Sequence, residues 1–193
     1  MVAADRTGRE RMVIGAADMI RRRGLNATSV RELAKHTDAP LGSTYHYFPG
    51  GKYDLATEAV RWADDTISDI LATALRAGPE AGLAAFLSMW RNLVLDNDFR
   101  AGCPVLAVSV EDLPDDHRGP RDAAAAAFER WCGLLAASLR DAGADPDRAD
   151  GLATLIVAAV EGTVAICRAR RSITPLDQVT EQLLALIRTA LPA

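Results

Sequence analysis

Residues 29–52 read SVRELAKHTDAPLGSTYHYFPGGK. Ser29 is placed to cap a short helix, and Glu32 three positions on completes a reciprocal capping box. Val30, Leu33 and Ala34 give that helix an apolar side. Thr37-Asp38 breaks the pattern, and Pro40 suits the first turn of a second helix. That second helix carries Leu41, Ser43, Thr44, Tyr45, His46 and Tyr47 in about two turns. It is too short and too polar on its outside to exist for its own packing. Two short helices joined by a tight turn, the second one exposed, form a candidate probe for a nucleic-acid groove.

Charge supports that reading once it is divided along the chain. The net formal charge is −4 over 193 residues. Residues 1–52 hold nine Lys/Arg and five Asp/Glu, whereas residues 53–193 hold thirteen and twenty-one. A basic end is thus joined to an acidic body, the asymmetry expected where one end meets phosphate. Apolar residues make up 49% of the chain but aromatics only 5%, with alanine abundant. This composition favours closely packed helices over sheets. No run approaches the length of an uncharged membrane span, and the first residues do not form a signal peptide. Cys103, Cys132 and Cys167 are far apart and lack metal-ligand spacing, so reduced thiols in a cytoplasmic protein are expected.

Outward from the central stretch, residues 1–8 read as a loose arm, with Arg6 and Arg9 within reach of a phosphate backbone. A helix over 9–23 follows from the stripe Val13, Ile14, Ala17 and Ile20. Arg21, Arg22 and Arg23 suit its last turn, and Gly24 ends it. These elements compose a head, 1–51, distinct from a body, 52–193. Further helices are expected at 52–74, 80–97, 121–142, 146–168 and 175–191. The apolar patch 101–113 reads as a short buried helix, and 114–120 as a solvent-facing loop. The fold class is therefore all-α: a three-helix bundle containing a helix-turn-helix, joined to a larger helical domain for ligand binding and dimerisation.

Catalytic chemistry finds no support. His36, His46 and His117 show no HExxH-like spacing, Ser88, Ser109 and Ser138 lack a Gly-x-Ser-x-Gly context, and no metal set or P-loop is present. No catalytic residue, metal or cofactor is expected. The head offers more. Arg31 is the best placed residue for a bidentate contact with guanine. Ser43 and Thr44 are small enough to approach base edges, the Thr methyl suiting a thymine methyl. Tyr45, His46 and Tyr47 can present hydroxyl or ring N–H groups to phosphate. Gly42 permits close approach to DNA or to a neighbouring helix, and Lys52 in a helix's first turn is explained by a phosphate partner.

In the larger domain, Trp62, Phe86, Met89, Trp90, Phe128 and Trp131 lie on different helices. They either line a shared cavity or form ordinary core. The last two helices, 146–168 and 175–191, carry wide apolar faces that a twin chain would cover as a four-helix bundle.

The run RERMVIGAADMI at 9–20, then GLNATSVRELA at 24–34, then GSTYHYF at 42–48 ahead of KYDL at 52–55 resembles the TetR/AcrR family of transcriptional repressors. Ala101–Pro104, Glu161–Thr163 and Arg171–Val179 resemble its LmrA/YxaF-like branch. The resemblance implies a homodimer with an N-terminal DNA-binding head and a C-terminal domain that dimerises and receives a small effector. Carried over, Gly42–Tyr47 would be the recognition helix. Arg31, Ser43 and Thr44 would face bases; Tyr45, Tyr47 and Lys52 would hold the backbone. Two departures stand out: Asp38 replaces the glycine common in the turn, and Pro49-Gly50-Gly51 is one residue longer than the simplest connection.

These observations lead to an expected function: a repressor that binds a palindromic double-stranded operator as a homodimer and is released by a small, largely apolar or aromatic effector, without membrane association. The alternative is a small-molecule or protein-interaction module whose head has no operator-specific role.

Overall fold

The computed structural model describes residues 8–192. Residues 1–7 of the expected arm, Arg6 among them, lie outside the described residues. Nine α-helices and no strand occur among the described residues. They are α1 (Gly8–Arg23), α2 (Val30–His36), α3 (Leu41–Tyr47), α4 (Lys52–Leu75), α5 (Pro79–Asp96), α6 (Pro104–Ser109), α7 (Gly119–Asp141), α8 (Pro146–Arg170) and α9 (Thr174–Ala190). The expected all-α class is what forms, including the short helix within 101–113.

The chain divides into two compact units. One comprises residues up to Asp65 together with Cys103–Ala127, and the other Thr66–Gly102 with Phe128 onward. The division falls inside α4 and inside α7.

In the first unit, α1 buries Met12, Val13, Ala16, Ala17, Met19 and Ile20 against Leu25, Leu33, Phe48 and Leu55. Gly15 lies where α1 meets α2; a Cβ there would stand 2.2 Å from Thr37 Cγ2. Thr37 cannot simply rotate away without cost, because its hydroxyl donates to the Leu33 carbonyl at 3.0 Å. Gly24 ends α1 at φ +81°, its N–H donating to the Ile20 carbonyl at 2.8 Å. Beyond it, the Glu111 carboxylate accepts from the backbone N–H groups of Leu25 and Asn26, the latter at 2.7 Å. The segment after α6 thereby satisfies donors that α1's end leaves exposed. Arg9 is tied to Glu58 at 2.9 Å and lies 5.2 Å from the centre of the Phe48 ring, so it belongs to α1's packing and not to a loose arm. His117, expected in a solvent-facing loop, stacks on Tyr53 at 4.1 Å between centroids.

In the second unit, α5, α8 and α9 pack together around Leu83, Leu87, Val94, Ile156, Val164, Leu183 and Ile187. Arg91–Asp177 at 2.8 Å and Arg188–Glu80 at 2.6 Å join α5 to α9. Both pairs are exposed, so they fix register more than they add stability. Arg171 reaches both carboxylate oxygens of Asp98 at 2.9 Å, and that hydrogen bond holds the Asp98 carboxyl below its ordinary value.

α8 corrects one expectation. It is 25 residues long and apolar enough, by length and composition, to cross a membrane. Its inner side is buried in the second unit through Ala153, Ile156, Val160, Val164 and Cys167. The outer side carries Leu155, Ala158, Gly162, Ala165, Ile166 and Ala169, spaced by three or four and uncharged.

Candidate nucleic-acid interface

α2 is capped as its sequence implies, with one difference. Ser29 Oγ accepts from the Glu32 backbone N–H at 3.2 Å, and the same hydroxyl donates to Glu32 Oε2 at 2.9 Å. The return bond therefore runs between side chains, not to the Ser29 backbone. At the other end, Ala39 N–H donates to the Ala34 carbonyl at 2.8 Å and Asp38 N–H to Lys35 at 3.4 Å. This is a Schellman closure, which needs a left-handed residue at Asp38. Its φ is +50°; aspartate tolerates this value better than most residues do.

Pro40 is the N-cap of α3 and not a residue of its first turn, with ψ at 134°. Along α3, Thr44 and then Phe48, one turn later, face the core. Leu41, Gly42, Tyr45, His46 and Tyr47 face outward, Tyr45 with 54% of its surface exposed, and Ser43 is half-buried. Thr44 is wholly buried, and its Oγ1 has no hydrogen-bond partner. Thr44 therefore cannot face bases; the helix phase that buries Phe48 also turns it inward. Leu41 takes a place on the outer side that sequence reasoning did not give it, with 40% of its surface exposed. Nothing in composition separates a leucine of this kind from a core leucine.

The remaining head residues fall on the same side or beside it. Arg31 is exposed on α2 and forms no ion pair with the described residues. Lys52 is half-buried at the start of α4, its ammonium 5.1 Å from the Tyr53 ring centre. Gly42 has no atom within 4 Å of where a Cβ would be, so no neighbouring helix of its own chain requires it. Arg21 and Arg22 both bond Asp18, at 2.6 and 3.0 Å. Burial pushes the Asp18 carboxyl up, but the hydrogen bonds from Arg22 and Arg21 outweigh it and hold the group below its ordinary value. α1 thus consumes two of its three terminal arginines internally.

Six aromatic and methionine residues were expected to share a cavity. Phe86, Trp90 and Trp131 do converge in the second unit, with Leu71, Leu135, Ile156 and Glu161 completing the wall. The enclosed space is about 10 Å³, enough for one water-sized probe, so a guest would have to push side chains apart. Phe128 packs edge-on to Trp131 at 5.5 Å. It and Met89 are half-buried and do not line this space. Trp62 belongs elsewhere. It lies in the first unit, 37% exposed, along an open groove with Arg9, Val13, Ile14 and Glu58. The inward positions of that stretch of α4 go to Ala59, Val60 and Ala63. Burial raises the thiols of Cys132 and Cys167, which disfavours their reactive thiolate forms.

Comparison with known proteins decides what this arrangement is. Residues 14–59 match the profile of bacterial regulatory proteins of the tetR family, and residues 79–182 that of the transcriptional regulator LmrA/YxaF-like C-terminal domain. The chain belongs to the TetR family, in its LmrA/YxaF-like branch. An uncharacterized HTH-type transcriptional regulator of Mycobacterium tuberculosis (strain H37Rv), Rv0196, is 45% identical over 188 residues, covering 95% of this chain and 96% of that protein. The HTH-type transcriptional regulator LmrA of Bacillus subtilis is 29% identical, covering 89% and 92%. Among solved structures, a TetR transcriptional regulator from Legionella pneumophila shares the fold with a TM-score of 0.84 at 22% identity, covering 98% and 100%. The regulatory protein TetR from Rhodobacter sphaeroides gives 0.82 at 26%, covering 93% and 99%. The TetR-family protein is a DNA-binding transcriptional regulator, not an enzyme.

Proposed function

We propose that this regulator is a repressor that binds a palindromic operator as a homodimer and leaves it when a small, largely apolar or aromatic effector enters the second unit. The observation that carries the DNA reading is the outer side of α2 and α3. There Arg31, Leu41, Gly42, Tyr45, His46 and Tyr47 are exposed on a helix-turn-helix pinned by a capped α2 and a Schellman turn.

In this reading Arg31 meets guanine, Ser43 approaches a base edge, and Leu41 takes the thymine-methyl contact that Thr44 is too buried to make. Tyr45, His46, Tyr47 and Lys52 hold sugar and phosphate. Residues 1–51 are the part that touches DNA; residues 52–193 receive the effector and dimerise. The outer stripe of α8, with the neighbouring side of α9, meets its twin as a four-helix bundle. That contact would give the apolar face of α8 a protein partner in place of a bilayer, and fits a cytoplasmic dimer. α4 is common to both units, so displacement of its second half by a guest would be felt by the head. Effector and operator would then oppose one another by equal coupling free energies.

The test is selection of bound fragments from a random-sequence duplex pool with the full-length protein. Enrichment of an inverted repeat supports the reading. Retention without any enriched sequence, or affinity insensitive to salt, overturns it.

A further inference from the structure

We infer that the effector is a lipophilic amine, received at the α4–α5–α7–α8 cavity of the second unit with Glu161 answering its ammonium. The inference rests on the effector reading above and names the chemistry of that site.

Two polar groups interrupt a wall that is otherwise built of Leu71, Phe86, Trp131, Leu135 and Ile156. Trp90 has only 1% of its surface exposed, yet its Nε1–H finds no acceptor. A buried indole N–H ordinarily has one, so this donor points to a guest atom not supplied by the chain. Glu161, 5% exposed, sits on α8 one turn from Val157 and Val164, where a leucine would continue the apolar pattern. Glutamate is almost never buried to this degree without a charged or donor group to answer it. A carboxylate has about four acceptor positions, so a neighbour within the protein still leaves room for a donor from outside.

The sign of the site follows. A carboxylate in an apolar wall repels an anionic guest, bonds a neutral donor weakly, and makes a charge-assisted bond with an ammonium. The rings of Phe86, Trp90 and Trp131 favour the same choice, because aromatic faces attract cations. They also accept a flat apolar body. Trp90 Nε1–H is left to donate to an acceptor on the guest's frame. The space of about 10 Å³ means that entry is coupled to opening of the helices.

The experiment uses the full-length protein at pH 7.5 and three fluorescent probes with one three-ring body: 9-anthracenemethylamine, 9-anthracenemethanol and 9-anthracenecarboxylate. Affinities are read by calorimetry and by quenching of tryptophan emission. The amine should bind at least tenfold more tightly than the alcohol, with the carboxylate weakest. Glu161→Gln should bring the amine down to the alcohol while leaving the alcohol unchanged. The ranking on the unmutated protein tests the claim even if the variant folds poorly. Equal affinities, a preference for the carboxylate, or an amine preference that persists in Glu161→Gln would overturn the inference and leave the effector reading standing. No binding by any of the three would count against both.

Discussion

Thr44 and Phe48 point inward from α3 while Tyr45, His46 and Tyr47 point out, so adjacent residues of one short helix do different work. The Thr44 hydroxyl is buried without a partner, which costs about 1–3 kcal/mol of desolvation. Thr44→Val should therefore leave operator affinity unchanged and hold or raise the melting temperature. A loss of affinity at intact fold would return Thr44 to the bases. Gly42 has open space around it, so alanine there should stabilise the helix by about 0.5–1 kcal/mol while weakening DNA binding. Thermal melts and operator titrations read the two effects separately. Arg31→Ala should relax preference at one base pair, at a cost of about 1–3 kcal/mol on the cognate base. Lys52→Ala should weaken all sequences together and lower the salt slope by about one.

At the scale of the element, α1 shows how local electrostatics decide which arginines remain for DNA. Asp18 holds Arg21 and Arg22, and its folded carboxyl lies below the ordinary value. The stabilisation is thus fully present above about pH 4, the unfolded value, and is lost as pH falls through the lower folded value. Asp18→Asn should lower the urea midpoint by a constant amount from pH 8 to 5, and the gap to the native protein should close below about pH 4. A gap that widened on acidification would contradict the pairing. Helices and their caps were legible in the sequence because each carries its own signals: Ser29 with Glu32, Gly24 and Gly143 as terminators, and Pro79 and Pro146 in first turns. The inward turn of Thr44 was not legible, since a two-turn helix offers too few apolar residues to fix its phase. Nor was the need for glycine at Gly15, or the bond of Glu111 to the end of α1, because both depend on residues brought together only by packing. Trp62 was misplaced for the same reason: its helix serves both units, and an apolar stripe does not say where one core gives way to the next.

For the whole molecule, the uncharged outer stripe of α8 is the feature that a single chain leaves unexplained. Gly162 lies on it with nothing within 4 Å of an added Cβ. Gly162→Arg should leave the chain folded, convert a sedimenting dimer to monomer, and lower operator affinity at least tenfold, because each head would then bind alone. A dimer that survives this change would move the two-fold contact off α8. The central claim, that two heads address one face of DNA together, is tested most directly by hydroxyl-radical footprinting on the fragment recovered by selection. The account predicts two protected half-sites related by two-fold symmetry, their centres about 10–10.5 base pairs or a multiple apart. A single protected half-site, or protection spread evenly without symmetry, would contradict it.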